Sequence, residues 1–134
     1  MAGWTNRGKY LILDSYFRGA TDPTNFYVAL VTSAAAPTQD TNTLSQLTQI
    51  ATGNGYTDGG YQLSRNSTDF DSLVEDDTGD QGELQIKDVV WTASGGPIPS
   101  SGSGARYAVL TDDNATVGSR QVIAYWDLGS DRTV

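Results

Sequence analysis

The densest group of side chains that could do chemistry is the run Glu75-Asp76-Asp77-Thr78-Gly79-Asp80-Gln81-Gly82-Glu83. Carboxylates so close together can gather a hard cation such as Ca²⁺. An EF-hand loop starting at Asp76 would need a glycine at position 81 and a glutamate at position 87, and the chain has Gln81 and Lys87 there. The motif fails, and the run reads as a solvated acidic turn. Asp112-Asp113-Asn114 reads as a turn for the same kind of reason. A nucleophilic serine would need a base, and with no histidine in the chain the candidates are Lys9, Lys87 or a carboxylate. Neither lysine sits in a recognisable motif. A glycosidase could work with two carboxylates alone, but nothing singles out one pair among 16 acidic residues. The glycine-rich stretches lack the G-x-x-x-x-G-K-[ST] pattern that cradles phosphates. The expectation is no catalysis, no cofactor and no metal.

Composition bounds the rest. The 134 residues fit a single domain spanning 1–134. There is no cysteine, so disulfides and thiol chemistry are excluded. The formal net charge of −8 repels phosphate backbones and anionic headgroups, so neither nucleic acid nor membrane is an expected partner. No run approaches the ~20 apolar residues of a membrane span. The start, Met1 to Lys9, lacks the apolar segment of a signal peptide.

The elements that would position any site are mainly strands. A helix is predicted over Thr5 to Arg18, with Thr5 as N-cap and Gly19 just past its end. Tyr10, Leu13 and Phe17 recur at helical spacing and are expected to pack into the core, so that Tyr10→Asp or Leu13→Asp would bury an unpaired charge. "NFYVALVT", Asn25 to Thr32, is apolar on both parities and predicts a strand buried on both faces. Leu44, Leu47 and Ile50 predict a second short helix over Thr43 to Ala51. Further strands are predicted at Tyr61 to Ser64, from Glu83 to Trp91 with a bulge near Asp88, at Ala105 to Thr111, and at Gln121 to Leu128. In the last, Val122, Ala124, Trp126 and Leu128 would share one face. The pattern is mainly β: an antiparallel β-sandwich or jelly-roll-like domain with an N-terminal helix and a second short helix. Trp4, Trp91 and Trp126 lie in or beside these elements, where core packing is the default and an exposed aromatic row the alternative.

Between two of these strands lies "TASGGPIPSSGSG", a loop with no evident nucleophile, base or metal ligand. Gly95 and Gly96 permit unusual backbone angles, and Pro97 and Pro99 limit the conformations lost on docking. The loop is either a shaped contact or a flexible connection without a partner.

The segments "WTNRGKYLILDSYFRG", "NFYVALVTSAAAPTQDTNTLSQLTQIATGNGYTDGGYQL", "DVVWTASGG" and "ARYAVLTDDNATVGSRQVIAYWDL" together cover nearly the whole chain. In them it resembles a family of small virion structural proteins of tailed bacteriophages. That resemblance implies a capsid decoration (cement) protein, made in the host cytoplasm and docked on the outer capsid surface. Its partners would be the major capsid protein, further copies of itself, or both. A tail or fibre module for host attachment is the alternative. The resemblance also implies a further strand-like segment beyond Val134, and with it an open sheet edge here. The candidate contacts are Trp4, Gly95, Gly96, Pro97, Pro99 and Tyr107, with the edge of the Gln121 to Leu128 strand beside them.

Overall fold

The computed structural model describes residues 2–134. Its strands and helix follow in the order β1 (Ala2–Trp4), α1 (Asn6–Arg18), β2 (Asn25–Val31), β3 (Tyr61–Ser64), β4 (Ser72–Asp76), β5 (Gln81–Gln85), β6 (Ala105–Thr111) and β7 (Val122–Arg132). Five strands form one antiparallel sheet in the order β1-β7-β6-β2-β3, and β4 and β5 form a separate hairpin. The fold is mainly β and antiparallel. Helix α1 and the extended chain through Val89 and Trp91 lie over one face of the sheet and loops over the other, which makes the layering sandwich-like.

The double-sided burial of β2 follows from its lack of a polar parity. Ala29 and Val31 pack on one face with Val109, Tyr125, Leu44 and Leu47. Val28 packs on the other with Leu63, Leu110 and Ile123, against which Leu11, Phe70 and Trp91 rest. Fully buried side chains such as Leu63 and Val109 each contribute about 1.5–3 kcal/mol of transfer free energy. Leu30, Ile50, Tyr56, Ile98 and Ala105 close the core at one end.

In β7 the expected alternation breaks. Leu110 pairs with Ala124 while the next residue of β6, Thr111, pairs with Val122. The extra residue is a bulge, which sends Val122 and Tyr125 to one face and Ile123 and Ala124 to the other. Nor is the Gln121 to Leu128 segment an exposed edge. From Ala124 to Trp126 it lies between β6 and β1. The predicted helix over Thr43 to Ala51 shrinks to a 3₁₀ turn, Leu44–Gln46. Gln46 accepts from the Thr43 backbone N–H in a capping box, and Leu47 and Ile50 are buried from irregular backbone. The strand predicted from Glu83 ends at Gln85, and Val89 and Trp91 reach the core from extended chain.

The largest correction concerns α1. Its packing face is not Tyr10, Leu13 and Phe17, which are 52%, 57% and 73% exposed. The residue of α1 that is buried is Gly8, with Leu11 packed beside it. Thr5 explains this geometry. Its hydroxyl donates to the Val122 carbonyl at 2.6 Å and accepts from the Gly8 N–H at 2.8 Å, while its own N–H bonds the Ile123 carbonyl at 2.9 Å. The N-cap therefore ties the helix start to the backbone of β7, and only a residue without a Cβ fits at Gly8. A Cβ there would overlap the Ile123 carbonyl oxygen. Gly19, at φ 72°, ends the helix in the left-handed conformation and donates its N–H to the Asp14 carbonyl.

The buried Tyr56 phenol is hydrogen-bonded. Tyr56 Oη accepts from the Leu30 N–H at 3.0 Å and lies 3.2 Å from Gln49 Oε1. Burial pushes the Tyr56 phenol up to about 12. A group raised in the folded state contributes stability that is complete below its unfolded pKa of about 10. Stability should therefore fall as pH rises from about 10 towards 12. Denaturant titrations of wild type and Tyr56→Phe across that range check this, since the slope should flatten in the variant.

Candidate functional site

The groups that first suggest chemistry are absorbed into turns and ion pairs. The acidic run is the turn of the β4–β5 hairpin. Asp76 accepts from the N–H groups of Thr78 at 3.1 Å and Gly79 at 3.0 Å, which hold its carboxyl below the usual range. Asp112 accepts from the Gln121 N–H at 2.9 Å, and Asp113 accepts from the N–H groups of Thr24 and Asn25, both at 3.0 Å. These carboxylates splice loops to strand ends. Lys87 is paired with Asp69 at 2.7 Å, and that bond holds its ammonium above the ordinary range. It is therefore poorly suited to serve as a base. Among the described residues, no group of three or more acidic, His or Cys side chains is placed to hold a metal.

The sequence-predicted contact residues are not brought together. Trp4 pairs with Ala124 on β1, near the Leu110 end of β6, and is 40% exposed. Tyr107 is partly buried against the core cluster on the opposite sheet face, with Arg106 stacked 5.6 Å from its ring centroid. The loop holding Gly95, Gly96, Pro97 and Pro99 lies at the Ala105 end, about five residues or ~17 Å along the strand from Trp4's level. That loop is tied inward. Asn54 donates to the Pro97 carbonyl at 2.8 Å, Ser100 donates to the Thr52 carbonyl at 2.5 Å, and Ile98 exchanges backbone hydrogen bonds with Val134. Pro99 is buried and follows a cis peptide bond, whereas Gly95, Gly96 and Pro97 are exposed.

What the structure does assemble is an apolar surface on the sheet face that carries α1. A groove of about 420 Å³ has Leu110 and Ile123 as its floor, Ile12 of α1 as one wall, and Leu73 and Leu84 of the hairpin as the other. Trp4, Phe26 and Phe70 also line it. Leu73 and Leu84 are cross-strand partners and so point to the same side of the hairpin. Both remain exposed, Leu73 at 78%. The hairpin stands away from the body with scarcely a buried residue, and thus forms an arm.

Helix α1 continues this surface. With about 3.6 residues per turn, Gly8, Leu11 and Ser15 share the inward face, and Tyr10, Leu13 and Phe17 fall on the face diametrically opposite. Tyr16, 82% exposed, flanks that outer stripe, and its ring packs edge-on against Phe17 with centroids 5.1 Å apart. A helix that is apolar on both faces is normally covered on both. Here the sheet covers one.

Sequence reasoning named Trp4 and missed the rest of this surface. The available signal was the glycine. Gly8 marks the face along which α1 lies on another backbone, so the larger apolar residues had to face elsewhere. The hairpin arm was hidden because its turn looked like an isolated acidic loop. No family model, no curated protein and no solved structure matches this chain.

Proposed function

We propose that this protein is a structural component of a tailed-phage virion that performs no catalysis. In this reading it is a capsid decoration protein on the outer face of the head, stabilising the shell by binding the major capsid protein. The observation that carries it is the exposed apolar outer face of α1, where Tyr10, Leu13, Tyr16 and Phe17 are all more than half exposed, a surface fit to join copies of the chain on the shell. Such a contiguous apolar patch is the mark of an interaction surface rather than of a free monomer. The resemblance in the Trp4 to Gly19 and Ala105 to Leu128 segments supplies the virion context. The acidic balance keeps the free chain soluble before assembly, and the absence of histidine and cysteine costs a purely binding protein nothing.

The test is quantitative mass spectrometry of purified particles of the encoding phage. A copy number close to that of the major capsid protein, or a simple fraction of it, is expected. A few copies per particle would place the chain in the tail or fibre instead. Absence from washed particles would overturn the virion reading altogether.

A further inference from the structure

The two exposed apolar elements carry opposite charge. Of the eight basic side chains, Arg7, Lys9 and Arg18 sit on α1, with Asp14 its one carboxylate. The arm holds Glu75, Asp76, Asp77, Asp80 and Glu83 and no basic residue between Ser72 and Gln85. The helix thus carries a net positive charge beside its apolar stripe and the arm a net negative one, and the two are complementary. Arg18 is 80% exposed beyond its loose 4.0 Å contact with Asp14, and Lys9 is exposed on the flank next to Leu13. On the arm, Glu75 and Asp77 flank Leu73 and Val74 without being the turn-holding carboxylate, which is Asp76.

We infer that a second copy of this chain covers α1. The arm of one copy lies on the outer face of the other copy's helix. Leu73 and Leu84 meet the Tyr10, Leu13 and Phe17 stripe, and the arm carboxylates face Lys9 and Arg18. Direct pairing of two α1 helices is disfavoured, because it would bring the basic rims together in an otherwise acidic protein. Within one copy the arm and α1 border the same groove. A reciprocal exchange, with each arm on the other copy's helix, closes as a two-fold dimer. Apolar contact supplies the affinity, and charge fixes which element meets which. The inference does not depend on a virion location.

The experiment is sedimentation equilibrium on the full chain with two charge-reversed variants. One is Lys9→Glu/Arg18→Glu on the helix. The other is Glu75→Lys/Asp77→Lys on the arm. All four positions are at the surface or half-exposed, so wild-type melting curves and circular dichroism are expected and serve as the folding control. Wild type should be a dimer, and each variant alone should associate at least about tenfold more weakly. An equimolar mixture of the two variants should recover dimerisation, since each arm then meets a helix of opposite charge. A monomeric wild type at its highest soluble concentration would overturn the inference. Variants that dimerise as well as wild type would overturn it too, as would a mixture no tighter than the variants alone.

Discussion

Replacing Gly8 by valine should cost about 3 kcal/mol of folding stability, while replacing Phe17 by serine should cost less than about 0.5 kcal/mol. The ordering inverts what residue size suggests. Gly8 is where α1 lies on the backbone of β7, and even a first side-chain carbon there would overlap the Ile123 carbonyl. Relief requires the helix to lift. That movement would also break the Thr5 cap, whose hydroxyl bonds both Val122 and Gly8. Phe17 is 73% exposed, and its ring meets only the equally exposed Tyr16 edge-on. Chemical denaturation at a concentration too low for self-association measures both. A Phe17→Ser variant destabilised as much as Gly8→Val would mean that the outer stripe is packed within the monomer.

The second large effect is expected at Arg120. This side chain is 7% exposed, yet its hydrogen bonds are to carbonyls. It donates to the Asn114 carbonyl at 3.0 Å and to that of Gly59 at 3.5 Å, and its guanidinium carbon lies 3.8 Å from the Tyr27 ring centroid. The planar, stacked guanidinium thereby pins the Gly59 turn and the Asn114 loop over β2. Arg120→Met should lose both charge-assisted bonds and the ring contact, for about 3 kcal/mol. Arg120→Lys should recover little of this, because an ammonium reproduces neither the fork nor the stack. Thermal melts of the two variants decide it. A lysine variant as stable as wild type would show that charge alone matters there.

These two residues illustrate what the sequence could and could not convey. Apolarity on both parities of Asn25 to Thr32 made β2 legible as a doubly buried strand, because period and burial are directly coupled there. Thr5 and Gly19 were legible as helix ends because capping is local chemistry. The orientation of α1 was not. Helical spacing identified an apolar face, but which of two faces meets the sheet depends on the backbone approach at Gly8. The β7 bulge was equally hidden, since the extra residue is defined by its partner strand and not by its own sequence. Of the candidate contacts, Trp4 is conspicuous in sequence as an aromatic beside a helix start, and it lines the groove. The arm was lost because β4 is short, and its turn was weighed as a metal site rather than as the tip of a hairpin. Arg120 gave no signal at all, since nothing in its neighbourhood in sequence marks the ring of Tyr27 as its seat.

The central claim is that the outer face of α1 is a contact surface. Carbene footprinting, read residue by residue in the dilute free chain and in the phage particle proposed to contain it, tests it most directly. Tyr10, Leu13, Tyr16 and Phe17 should label strongly in the free chain and be protected several-fold in the particle, while Val134, exposed at 68% beside Ile98 at the Ala105 end of the sheet, should label alike in both. Equal labelling of the four α1 residues in the two states would contradict the claim.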